Sequence, residues 1–109
     1  MKLKQLACMG FLGLVCGAAV PIIETKTVIH QKGRTFSAET LTVARGEVVT
    51  FENDDNVPHN IMSDSPDNAF DLGSQPPGTA TPVTFDKAGL VQVICAIHPR
   101  MRMTIVVTN

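Results

Sequence analysis

The chain has 109 residues, nine Lys or Arg against ten Asp or Glu, and a formal charge of −1. Its only aromatic rings apart from His are five Phe, so one small core must be built from Val, Ile, Leu and Phe. That length leaves no room for a second domain, and without a basic, aromatic-rich face no nucleic-acid partner is expected.

Lys2 and Lys4 precede an apolar stretch from Leu6 to Val15 and the small residues Gly17-Ala18-Ala19, which together predict a signal peptide over residues 1–19. Apolar character continues to Ile23, close to the ~20 residues of a bilayer span. Gly10, Gly13, Gly17 and Pro21 weaken any spanning helix, however, so the expected product is an exported, periplasmic domain over 20–109 with no membrane insertion. Removing the segment takes Lys2, Lys4, Cys8 and Cys16, shifts the formal charge to −3 and leaves Cys95 as the only cysteine. A lone thiol in an oxidising compartment is buried, paired with another chain or held by a metal.

The exported part reads as strands. Thr25 to His30, Thr40 to Val43 and Val48 to Glu52 have strand composition, with Arg45-Gly46-Glu47 as a turn. His59 to Ser63 is a further short strand. Asp64 to Pro82, rich in Ser, Pro, Asp, Gly and Thr, reads as an irregular excursion with a helical turn near Asp67 to Phe70. Val83 to Phe85, Leu90 to Cys95 and Met103 to Val107 resume the pattern, with a turn at Lys87-Ala88-Gly89. Short strands separated by turn residues predict an all-β, two-sheet antiparallel sandwich.

The chemistry-bearing residues fall in two places. Cys95-Ala96-Ile97-His98-Pro99-Arg100-Met101 precedes the last strand, and Pro58-His59-Asn60 ends a loop after an earlier one. Loops at one end of a sandwich converge, so His59 can meet Cys95 and His98. A thiolate, two imidazoles and a thioether are the donor set of a mononuclear electron-transfer copper. Structural zinc takes four strong ligands, which would require recruiting His30. Met103 competes with Met101 for the thioether role, because strand alternation puts both on one face if the last strand begins early. Met101 is preferred as the residue expected to stay in the loop. Met62 reads as core or a lining residue, and His30 as an ordinary strand residue.

These two segments resemble the cupredoxins, the small blue copper proteins, and within them the amicyanin and plastocyanin branch. The resemblance implies a Greek-key sandwich and one type 1 copper, with His59, Cys95 and His98 as equatorial ligands and Met101 as axial ligand. It also implies a hydrogen bond from the Asn60 backbone to the Cys95 sulfur, with Asn53 bracing the His59 loop. Ile97 stands where amicyanin has Pro, and Arg100 where it has Phe.

The expected function is one-electron transport between redox partners by a monomeric carrier that is not an enzyme, the alternative being a copper carrier that delivers the ion. The resemblance further implies that His98 is the electron port, inside an apolar patch that Ala96, Ile97 and Pro99 would form. From Glu47 to Asp86 there are eight acids and no Lys or Arg, whereas Arg100 and Arg102 flank Met101. A partner with a negative or mixed docking surface fits that rim.

Overall fold

The computed structural model describes residues 26–109. The expected signal peptide over 1–19, with Cys8 and Cys16, lies outside the described residues. Nine strands follow one another with no helix among the described residues: β1 Thr27–Lys32, β2 Thr35–Phe36, β3 Thr40–Ala44, β4 Glu47–Asn53, β5 His59–Ser63, β6 Phe70–Gln75, β7 Ala80–Phe85, β8 Gly89–Cys95 and β9 His98–Thr108.

They form a four-stranded sheet ordered β2-β1-β4-β7 and a five-stranded sheet ordered β3-β9-β8-β5-β6. Alternate residues turn inward and fill the space between the sheets. Ile29, Val49, Phe51 and Phe85 come from the first, and Val43, Ile61, Val91, Val93, Met103, Ile105 and Val107 from the second. The rings of Phe36 and Phe51 meet edge to face at 6.2 Å, one of the contacts that offset the absence of larger aromatics.

The sheets are mixed, which corrects the all-antiparallel expectation. β1 runs parallel to β4, and β3 parallel to β9, while the other pairings are antiparallel. The reason is topological: after β2 the chain crosses to the other sheet as β3 and returns as β4, so β4 arrives beside β1 in the same direction. Hydrophobic alternation reports which face is inward but carries no record of strand direction.

The stretch 64–82 is also more regular than expected. It contains β6 and the first part of β7, and the expected helical turn is a tight turn at Pro66-Asp67, with Asp67 at φ +67 and Asn68 N–H donating to Ser65 O at 3.1 Å. β6 escapes detection because it is an edge strand whose Asp71, Leu72, Gly73 and Ser74 are exposed, so no apolar alternation marks it. β2, two residues long, is likewise too short to be read from composition.

Candidate metal centre

Cys95 and His98 face each other across the shortest connection in the fold. They end β8 and open β9, with only Ala96-Ile97 between them, and they are register partners. One step earlier Ile94 pairs with Arg102, so Pro99, Arg100 and Met101 are accommodated as a bulge on β9. This corrects the loop expected over Ala96 to Met101, because the strand begins at His98. Met101, Met103, Ile105 and Val107 therefore alternate as one buried row, and Met101 is only 1% exposed. Loop residence no longer separates Met101 from Met103. What distinguishes Met101 is its position in the bulge and in the same groove wall as His98.

His59 opens β5 and is fully buried. Its Nδ1 lies 3.9 Å from Cys95 Sγ and 3.1 Å from His98 Nδ1, and the third side of the triangle, His98 Nδ1 to Cys95 Sγ, is 3.7 Å. A point in the plane of these three atoms lies about 2.1 Å from each, the length of a metal–imidazole bond and close to that of a metal–thiolate bond. The donor set, one soft sulfur and two imidazoles, suits copper in both of its oxidation states. Of the residues singled out from the sequence, His59, Cys95 and His98 are thus brought together. Met101 is buried beside them.

The surroundings orient the donors. Asn60 N–H donates to Cys95 Sγ at 3.2 Å, the expected contact. The Asn60 side chain holds the hairpin in place: its Oδ1 accepts from Ala96 N–H at 3.2 Å, and its Nδ2 donates to Asp71 Oδ1 and Gly73 O at 2.8 and 2.9 Å. Both amide donors favour the charged carboxylate, and Gly73 N–H, the larger influence, joins Asn60 in lowering the Asp71 pKa. Asn53 braces the His59 loop as expected, donating through Nδ2 to Val57 O and Gln75 O and accepting from Asp55 N–H.

Asp55 is a functional residue that sequence reasoning missed. Its Oδ2 accepts from His59 Nε2–H at 2.8 Å, which fixes the His59 tautomer with the Nδ1 lone pair aimed at the cluster. Gly33 N–H and Arg34 N–H, both in the β1–β2 turn, donate to the two carboxylate oxygens at 2.7 and 2.9 Å. Arg34 N–H is the main cause of an Asp55 pKa lowered to about 2, with His59 and Gly33 adding and burial opposing. Asp54 and Asp55 are adjacent loop acids, and only the turn contributed by a distant hairpin distinguishes them. His30 belongs to a separate exposed group, where its Nδ1 lies 2.6 Å from Asp54 Oδ2 and 3.5 Å from Glu52 Oε1.

Arg34 also reaches the second imidazole, its Nε–H donating to His98 Nε2 at 3.3 Å. Beside that contact lies an open groove of about 480 Å³ lined by Gly33, Thr35, Ile97, Pro99 and Arg100 among others. Ile97 is 55% exposed there, while His98 is half-buried.

Comparison with known proteins agrees with this geometry. Residues 23–108 match the profile of the copper binding proteins of the plastocyanin/azurin family. A search of curated protein sequences finds no significant match. Among solved structures, a reduced amicyanin variant is 26% identical, with a TM-score of 0.70 over 79% of this chain and 85% of that one. A purple cupredoxin from Nitrosopumilus maritimus is 24% identical, with a TM-score of 0.67 over 76% of this chain and all of that one, a likeness of fold. The copper-containing nitrite reductase of Thermus scotoductus shares the fold at 24% identity and a TM-score of 0.74 over 87% of this chain, which spans only 25% of the enzyme. With nearly the whole described domain inside the family profile and a fitting thiolate and imidazole pair at one end of the sandwich, the chain belongs to the plastocyanin/azurin family of copper-binding proteins, and copper is its cofactor.

Proposed function

We propose that the protein is an exported one-electron carrier in which His59, Cys95 and His98, with Met101 beside them, would hold the copper ion. The observation that carries this reading is the hydrogen-bonded frame that holds the three donor atoms 3.1 to 3.9 Å apart. Copper bound there supplies a Cu(II)/Cu(I) couple. A frame fixed by Asn60, Asn53 and Asp55 resists the change of geometry that each oxidation state would otherwise impose, which keeps reorganisation on electron transfer small.

The chain's own residues divide the work. His59 and Cys95 are fully buried and exclude water from the thiolate, whereas His98 is half-buried and borders the open groove, as an electron port requires. Ile97 and Pro99 give that groove an apolar floor. Arg34 and Arg100 at its edge favour a redox partner with a negative or mixed docking surface, and the steering weakens as ionic strength rises. The carrier acts as a monomer in the periplasm after loss of residues 1–19. Enzymatic copper chemistry is disfavoured because the sequence holds three His in all, and beyond the proposed ligands only His30 remains.

The test is electron self-exchange of the copper-loaded protein, measured by NMR line broadening in mixtures of its oxidised and reduced forms. Fast, reversible one-electron exchange is expected. Slow exchange combined with ready transfer of copper to an acceptor protein would instead identify a copper-delivery protein.

A further inference from the structure

The β1–β2 connection is built in an unusual way. Its two central residues, Gly33 at φ +64 and Arg34 at φ +57, give the two-residue type I′ turn that matches hairpin twist. The second of those positions normally takes Gly, because a residue with a Cβ resists the left-handed region. Here it carries Arg, and Arg34 contacts both halves of the metal centre, through its backbone to Asp55 and through its side chain to His98.

The protons in this arrangement can be placed by elimination. The ionised Asp55 carboxylate only accepts, so His59 carries its proton on Nε2 and keeps a lone pair on Nδ1. His98 Nδ1, 3.1 Å away, satisfies that lone pair by donating to it, which leaves the lone pair of His98 on Nε2. Arg34 Nε–H donates to that second lone pair at 3.3 Å. Arg34 N–H then donates to Asp55 Oδ2 at 2.9 Å and closes the ring. Every member is satisfied in this one assignment.

A metal on His98 Nδ1 reverses the tautomer. The neutral ring then carries its proton on Nε2, where it meets Arg34 Nε–H donor to donor. The Arg34 contact and the metal bond are therefore alternative states of His98. Resting on the copper reading above, we propose that Arg34 is a positioning residue that latches His98 whenever this imidazole is off the metal, so that seating His98 on copper and releasing Arg34 are one exchange. In that exchange the His98 Nδ1 proton is given up and one is taken up at Nε2, so the ring stays neutral. The guanidinium keeps its charge. The Arg34 backbone meanwhile goes on holding Asp55 against His59.

The experiment compares wild type with Arg34→Asn and Arg100→Asn in copper(I) affinity, by competition with a chromophoric chelator, and in imidazole tautomer, by 15N NMR above neutral pH. Asn tolerates the left-handed conformation and keeps the backbone N–H, but its side chain is too short for the latch. Arg100→Asn removes the same charge from the same groove. Loss of one hydrogen bond that competes with the metal raises affinity about two- to ten-fold in Arg34→Asn, with Arg100→Asn within about two-fold of wild type by the same scale. Equal gains in both variants, or none in Arg34→Asn, overturn the proposal. In wild type, His98 is expected to carry its proton on Nδ1 without copper and on Nε2 with copper(I). Copper bound with no change of tautomer defeats the latch alone, whereas failure of wild type to compete for copper defeats the metal reading and the latch with it.

Discussion

Replacing Asp55 with Asn isolates the contribution of one carboxylate to both the fold and the metal centre. The wild-type side chain receives three hydrogens, from Gly33 N–H, Arg34 N–H and His59 Nε2–H, at 2.7 to 2.9 Å. An amide of the same shape turns its NH2 toward at least one of these donors, leaving it opposed. A donor left opposed in a part-buried place costs about 1–3 kcal/mol of stability. Loss of the carboxylate that orients a ligating imidazole lowers metal affinity about 10- to 100-fold. Asp55 titrates at about 2 when folded against an ordinary 3.8, so its stabilising contribution is complete above 3.8 and drains away as the pH falls toward 2. Urea denaturation of wild type and variant should therefore show a gap at neutral pH that closes on acidification, and chelator competition at neutral pH should show the weaker copper binding. A stability gap that does not change with pH, together with copper affinity within two-fold of wild type, would refute the role assigned to the carboxylate.

Three further outcomes are expected. Met101→Leu should retain the charge-transfer colour and raise the reduction potential, while Met103→Leu should leave the potential unchanged and alter stability by less than about 1.5 kcal/mol, as volume-conserving core swaps do; voltammetry of both variants checks this. Asn60→Ala removes the side-chain bonds to Ala96, Asp71 and Gly73 and should lower stability by about 1–3 kcal/mol in chemical denaturation. The same variant keeps the backbone N–H on Cys95 and so should keep its colour.

Half of the centre is legible in the sequence because Cys95 and His98 are local to one short segment, while His59, 36 residues earlier, is reached only through the convergence of loops at one end of a sandwich. Cys95 and His98 are separated by two residues, close enough along the chain for one ion to reach both side chains. Alternation likewise marked β4, β8 and most of β9, whose inward positions are strongly apolar. What the sequence could not carry was pairing at long range. The parallel neighbours β1·β4 and β3·β9 follow from crossovers between sheets, and β6 is an exposed edge strand without apolar alternation. The start of β9 is hidden from composition because Pro99 and Arg100 lie in a bulge, where the composition resembles a loop. The importance of Asp55 and Arg34 is relational and so invisible to local pattern: a turn 21 residues earlier supplies the amide that selects Asp55 over its neighbour.

Cysteine coordination is the most exposed element of the account, and an optical spectrum reads it directly. The oxidised, copper-loaded protein should be blue, from thiolate-to-Cu(II) charge transfer at Cys95, and Cys95→Ser should abolish the band. A colourless copper-loaded wild type, or a band that survives in Cys95→Ser, would contradict it.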